Sequence, residues 1–159
     1  MTTTVLQPQG CTSLKVRQLM RRVSQHYDAE MASCGLKTTQ YSLLAHIVKL
    51  GPVRPSELAQ AMQMTPSTLS RNLQPLVTAG WAVVGAGTDA RSRLVQATEA
   101  GQDKRREAQR HWKVAQQTLN AQLGIARVAA LHALIDDSLS ILQGTDEQDD
   151  ITEGEGHAS

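Results

Sequence analysis

TPSTLSRNLQPLVTAG, residues 65–80, is the stretch on which the fold turns. It opens with Thr65 as a helix cap and Pro66 at the first helical position, where a proline forfeits no hydrogen bond. Leu69, Leu73, Leu76 and Val77 then recur at i, i+4, i+7 and i+8, one stripe of an amphipathic helix. The opposite face carries Ser67, Thr68, Ser70, Arg71 and Gln74, with no carboxylate among them. Hydroxyls and a guanidinium reach phosphate oxygens, and arginine forks onto the edge of guanine. Taken alone, such a face is more simply a solvated one, so its neighbours decide. Pro75 cannot donate to the carbonyl of Arg71 and is expected to kink the last turn, leaving the hydroxyl-and-arginine half intact. Gly80 closes the helix.

Immediately upstream lies a short helix. Pro55 takes its first position, Glu57 its first turn, and Leu58, Ala61 and Met62 face inward. Only Gln63 and Met64 separate it from Thr65, which makes the pair a helix-turn-helix pattern. Downstream the period shortens to two. Residues 81–84 and 91–97 read as strands joined by a Gly- and Asp-rich turn, a β-hairpin with Asp89, Arg91 and Arg93 at its tip. Two strands are barely stable alone, so this hairpin must lean on the helices. Arginine at an exposed, Gly-flanked tip suits a narrow minor groove, where the negative potential is strongest.

Farther out the chain is helical. A first helix runs from Thr12 or Ser13 to about Ser33, with Val16, Met20, Val23, Tyr27 and Met31 on one stripe and Lys15, Arg17, Arg21 and Arg22 on the other side. Gly35 ends it. A second helix, capped by Thr38 or Thr39, is apolar nearly all round and must be buried on several sides, and Gly51-Pro52 stops it. Thr98-Glu99-Ala100-Gly101 starts a long helix to about Leu123, with Ala108, Trp112, Ala115 and Leu119 on one face. Gly124 breaks it, and a last helix to about Leu142 carries Val128, Leu131, Leu134, Ile135, Leu139 and Leu142. Residues 1–11 read as a flexible arm and 143–159 as a disordered acidic tail.

The totals agree with this outline. The 159 residues suffice for one domain with a substantial core, which must be aliphatic because the chain has no Phe. All 16 Lys and Arg lie in residues 1–127, whereas eight of the 15 acids lie in residues 128–159. The net charge of +1 therefore hides a basic body suited to a polyanion. The N-terminus has neither the basic patch nor the apolar run of a signal peptide, and no apolar run is long enough to span a membrane, so a cytoplasmic protein is expected. Cys11 and Cys34 have no CxxC spacing, and the histidines at 26, 46, 111, 132 and 157 show no zinc-type arrangement. No GxSxG, GxxxxGK[ST] or HExxH is present, which argues against the common hydrolase, nucleotide-binding and metalloprotease chemistries. Neither a metal nor a cofactor is expected.

Helix, helix, helix-turn-helix, hairpin and two long helices, in that order, resemble the MarR family of winged helix-turn-helix transcription regulators over about residues 12–142. The resemblance is carried by SELAQAMQMTPSTLSRNLQPLVTAGWAV (residues 56–83) and by TDARSRLVQATEAG (residues 88–101), in which an Asp-x-Arg-x-Arg wing leads into a Thr-Glu-x-Gly helix start. It implies a mainly α fold with a small β-hairpin wing. Residues 38–98 would form the winged helix-turn-helix, and 12–34 and 99–142 would form dimerisation helices. It implies a homodimer on a palindromic operator, most simply a repressor, with double-stranded DNA as partner. The two recognition helices would read half-sites about 10 base pairs apart or a multiple of that.

Carried over residue by residue, the resemblance assigns DNA contacts to Thr65, Pro66, Ser67, Thr68, Ser70 and Arg71. It matches Arg91 to the minor-groove arginine, Asp89 to the acid that steadies it, and Arg93 to a phosphate or structural contact. It further implies release from DNA by a small aromatic or organic acid held between the dimerisation helices and the winged domain. The matching positions are Met20, His26, Tyr27, His46 and Trp112, with Arg17, Arg21 or Arg106 as countercharge. An alternative switch is thiol oxidation at Cys11, which lies just ahead of a helix N-terminus near Lys15. A winged-helix protein-interaction module without DNA binding is the rival of another class.

Overall fold

The computed structural model describes residues 7–87 and 92–152, with side chains through Gln143. Among the described residues six α-helices and two strands follow one another: α1 Thr12–Met31, α2 Thr38–Leu50, α3 Pro55–Ala61, α4 Pro66–Thr78, β1 Ala82–Ala86, β2 Arg93–Ala97, α5 Glu99–Leu123 and α6 Ile125–Thr152. A single 3-10 turn, Ala32–Cys34, finishes α1. The expected fold class, mainly helical with one hairpin, is what the chain adopts. The chain divides into two units, residues 1–116 and 117–159, with α5 crossing the boundary.

In the first unit the helix ends are set by local chemistry. Gly35 takes a left-handed φ of 72° and its N–H donates to the Ala32 carbonyl. The expected Thr38 cap is replaced by Lys37, whose backbone N–H is taken up by Gln40 Oε1 at 2.9 Å. Thr38 instead donates both its N–H and its hydroxyl to Asp28 Oδ1, each at 2.8 Å, which pins the start of α2 to α1. At α4, Thr65 caps as expected, and the helix runs across Pro75 to Thr78. Gly80 (φ 76°) then closes it: the Gly80 N–H reaches the Val77 carbonyl and the Trp81 N–H reaches Leu76, both orphan carbonyls thereby satisfied.

The main core forms where α2, α3 and α4 meet the hairpin. Leu43, Leu44, Ile47, Leu58, Leu69, Leu73, Leu76 and Val95 are buried together, with Val53 and Ala82. Burying one such leucine contributes on the order of 1.5–3 kcal/mol, and this cluster holds the helix-turn-helix rigid. The nearly all-round apolar character of α2 is thus explained by neighbours on several sides. The hairpin is antiparallel, with Val84 opposite Val95 and Ala86 opposite Arg93. It does lean on the helices, and it gains a third backbone partner as well: Val53, between α2 and α3, exchanges N–H···O bonds with Val95 at 3.0 and 2.8 Å.

The Thr-Glu-x-Gly start of α5 has a direct physical basis. Thr98 Oγ1 accepts from the Gly101 N–H at 3.0 Å and donates to the Gly80 carbonyl at 2.6 Å. The same hydroxyl therefore caps α5 and ties it to the end of α4. Gly101 packs against the Trp81 backbone so closely that a Cβ there would sit 1.9 Å from the Trp81 carbonyl oxygen. A second buried cluster, Met31, Cys34, Leu36, Tyr41 and Ala108 with Trp112 beside it, joins α1, α2 and α5.

In the second unit Gly124, with φ 85°, separates the end of α5 from α6, and the Arg127 guanidinium donates to the Leu123 carbonyl at 2.9 Å. Ile125, Leu134, Ile135, Leu139 and Leu142 stand exposed along α6. The sequence reading ended this helix near Leu142, whereas its backbone stays helical through Thr152. Glu and Gln are good helix formers, and a single glycine such as Gly144 costs a helix only about 1 kcal/mol. The rest of the expected disordered tail, residues 153–159, and the first six residues of the expected arm lie outside the described residues. Among the described residues no helix is long and apolar enough to cross a membrane.

Candidate nucleic-acid interface

The surface begins at the cap of α4. Thr65 Oγ1 accepts from the Thr68 N–H at 3.3 Å and lies 2.9 Å from Thr68 Oγ1 and 3.2 Å from Ser67 Oγ. Thr65 and Thr68 thus engage one another in the first turn, and Thr68 is half-buried. Ser67, Ser70, Arg71 and Gln74 lie exposed on the face opposite Leu69, Leu73 and Leu76. That face is free of carboxylates along the helix, as the sequence indicates.

The turn that presents α4 is tight. Gln63 adopts a left-handed φ of 52°, which lets the Met64 N–H reach back to the Ala59 carbonyl at 2.9 Å. Met64 is tied forward as well, its sulfur accepting from Asn72 Nδ2 at 3.8 Å. At the N-terminus of α3 the Arg54 N–H is met by Glu57 Oε2 at 3.4 Å, and Ser56 stands exposed beside Pro55.

The hairpin supplies the flank. Arg93 is exposed on the first residue of β2 opposite Ala86, within the strand and not at the tip where the sequence reading put it. Its side chain borders a groove that runs along α4 past Ser70, Leu73, Gln74 and Val77. The groove has a volume of about 450 Å³ and reaches Ser56 on α3 and Val84 on β1. The other wing residues of the sequence reading, Asp89 and Arg91, lie outside the described residues. Ser56, Gln74 and Val84 were not nominated from sequence. Gln74 was visible on the polar face, and Ser56 follows a helix-initiating proline at the helix-turn-helix entrance, a signal that could have found it.

The residues matched to an effector site are only partly gathered. His26, Tyr27 and Trp112 come together where α1 meets α5: Tyr27 and Trp112 lie 6.4 Å apart, and Trp112 lies 6.3 Å from Tyr41. Their polar atoms face α5, with the Tyr27 hydroxyl donating to Gln116 Oε1 and His26 Nε2 lying 2.8 Å from the Ala115 carbonyl. Burial pushes both phenols above their usual pKa, the rise at Tyr41 being partly offset by the Arg105 guanidinium. Arg105, which was not matched to an effector site from sequence, thus acts electrostatically on Tyr41. Arg106 is exposed and paired with Asp103. His46 turns to its own helix, Nδ1 lying 2.8 Å from the Ser42 carbonyl. Met20 and Arg21 are exposed, and the exposed Arg17 donates to the Ser13 carbonyl. Cys11 is exposed at the start of α1, whereas Cys34 is buried with its thiol 3.1 Å from the Met31 carbonyl.

Residues 35–92 match the MarR family model. No curated protein matches the chain in sequence. Among solved structures, the chain is similar to the transcriptional regulator MosR of M. tuberculosis in complex with DNA, at 29% identity over 82% of this chain and 98% of that one, with a TM-score of 0.66. A mutant MarR from E. coli complexed with operator DNA matches at 21% identity over 80% and 92% of the two chains, TM-score 0.72. The S. aureus MepR–DNA complex matches at 19% identity over 83% and 98%, TM-score 0.72. The family and these structures are those of transcriptional regulators, not enzymes. Residues 35–92 of this chain, which include the helix-turn-helix and the first strand of the hairpin, are thus similar to the MarR family, and the fold is that of the winged-helix MarR regulators.

Proposed function

We propose that this protein is a sequence-specific DNA-binding transcriptional regulator, a repressor, that acts as a homodimer on a palindromic operator and is released by a small aromatic or organic acid. The observation that carries the reading is the exposed, carboxylate-free face of α4, Ser67, Ser70, Arg71 and Gln74, flanked by Arg93. A rigid helix with that face enters a major groove, hydroxyls and amide on phosphates or bases and Arg71 on a guanine edge. On this reading Arg91 enters the adjacent minor groove, with Asp89 as the acid that steadies it. Homodimerisation is supported by the bare apolar residues Leu14, Val16 and Met20 of α1 and by those of α6. A twofold protein reads a twofold site, with half-sites about 10 base pairs apart or a multiple.

Arg91→Ala tests the assignment. Binding to duplex DNA, followed by fluorescence anisotropy, should fall severely while sedimentation shows an intact dimer. Wild-type affinity in that variant would remove the wing from the interface. A second reading of the switch, oxidation at Cys11, has the exposure of that thiol in its favour. Peroxide-induced release from DNA that Cys11→Ser abolishes would establish it over an organic acid.

A further inference from the structure

Thr98 takes up two consecutive carbonyls at the corner between α4 and the hairpin. Its hydroxyl donates to Gly80 at 2.6 Å and its N–H to Trp81 at 3.1 Å. The N–H bond extends the ladder one rung past the Ala82–Ala97 pair and does not depend on which side chain stands at 98. The hydroxyl bond does. It holds the peptide between Gly80 and Trp81 from the hairpin side, while the N–H of that peptide goes back into α4, to the Leu76 carbonyl at 2.9 Å. Packing does not hold this corner: Gly80 has a left-handed φ of 76°, and a Cβ built on it would meet nothing within 4 Å. A glycine in open space leaves the backbone free to turn. Ala82 and Val95 seat the hairpin on the core, and the Thr98 hydroxyl fixes its direction at the foot. The same hydroxyl accepts from the Gly101 N–H at 3.0 Å, and Gly101 abuts the Trp81 backbone too closely for any side chain. The donor is thus presented by a fixed first turn of α5.

We propose that Thr98 is a positioning residue for DNA binding: its hydroxyl sets the angle between α4 and the hairpin, so that both elements meet the duplex together. The inference rests on the reading of α4 and the hairpin as one DNA-binding surface. A surface built from two elements binds tightly only when their placement is fixed beforehand, because any freedom left between them is lost on binding and subtracts from affinity. Thr98 itself need touch no nucleotide.

The test separates the tie to Gly80 from the cap on α5, using three variants of the full chain. Thr98→Ser keeps both hydroxyl bonds. Thr98→Asp keeps the cap, because a carboxylate accepts from the Gly101 N–H, but it has no proton for the Gly80 carbonyl. Thr98→Val loses both. Urea unfolding should find Thr98→Asp at least as stable as Thr98→Val. Binding is followed by fluorescence anisotropy on the duplex that the wild-type chain selects from a random pool. Thr98→Ser should bind within about twofold of wild type, and Thr98→Asp and Thr98→Val about tenfold more weakly. The ratio between Thr98→Asp and wild type should persist as salt is raised, since plain repulsion between the new carboxylate and DNA would be screened. Without DNA, hydrogen exchange of the Trp81 amide should quicken in Thr98→Asp and Thr98→Val but not in Thr98→Ser. Wild-type affinity in Thr98→Asp would reduce Thr98 to a cap and overturn the proposal. So would a Thr98→Ser variant as weak as Thr98→Val, a penalty that salt removes, or unchanged exchange at Trp81. If the wild-type chain bound no duplex, the regulator reading would fall and the role of Thr98 with it, whereas duplex binding indifferent to all three substitutions would overturn the role of Thr98 alone.

Discussion

Helices α1 and α4 are written in the same code and end in opposite circumstances. Both carry an apolar stripe at helical spacing and a polar, acid-poor opposite side. On α4 the stripe is covered within the chain, with Leu69 2%, Leu73 7% and Leu76 0% exposed. Along the first half of α1 it is bare, with Leu14 47%, Val16 60% and Met20 59% exposed. Periodicity states that a face will be covered, and only three-dimensional packing states by what. For α4 the cover is α2, α3 and the hairpin, which leaves the polar face exposed, the face proposed to read DNA. For α1 the apolar face is the one left over, and on the proposed reading a second copy of the chain covers it.

The contrast can be broken at either end. The largest effect is expected in the core: Leu76→Ala removes a fully buried side chain and should cost about 2–5 kcal/mol, measured by urea unfolding. A loss below about 1 kcal/mol would mean that α4 is not held by that stripe. On α1, Val16→Asp with Met20→Asp places charge on the bare face. The expected outcome is a folded monomer by sedimentation and circular dichroism, whereas an unchanged oligomeric state would remove α1 from the dimer interface. Gln63→Gly is the smallest expected change and goes the other way. Glycine accepts the left-handed φ that glutamine holds at some cost, so stability should rise by about 0.5–1 kcal/mol, partly opposed by the greater freedom of the unfolded chain. Destabilisation there would show that the Gln63 side chain has a role that the backbone geometry does not reveal.

What was legible in the sequence was local. Thr65-Pro66, Pro55, Gly35, Gly80 and Gly124 are punctuation whose chemistry acts within a few residues, and the element ends follow them closely. The Thr98–Gly101 start was recognised by likeness, and the structure supplies its reason in the hydroxyl shared with Gly80 and the space taken by Trp81. Contacts across long loops left no periodic trace. His26 meets Ala115 and Tyr27 meets Gln116 across a separation of 89 residues, so the aromatic cluster and the neighbouring Arg105 could not be assembled from spacing alone. Val53 sits between two prolines, and no one-residue bridge announces itself in such a run. The sequence groups Arg93 with Asp89 and Arg91 at the tip of the hairpin. The ladder begins at Arg93 itself, which moves that side chain from the tip to the groove beside α4.

DNA reading by the outer face of α4 is tested most directly by selection of bound duplexes from a random pool. Wild-type protein should enrich a twofold-symmetric site. Arg71→Ala should relax one position in each half-site and weaken binding by about 1–3 kcal/mol, the worth of a bidentate base contact. A pool that yields no symmetric site, or the same site with undiminished preference from Arg71→Ala, would contradict the assignment of α4 as the DNA-reading helix.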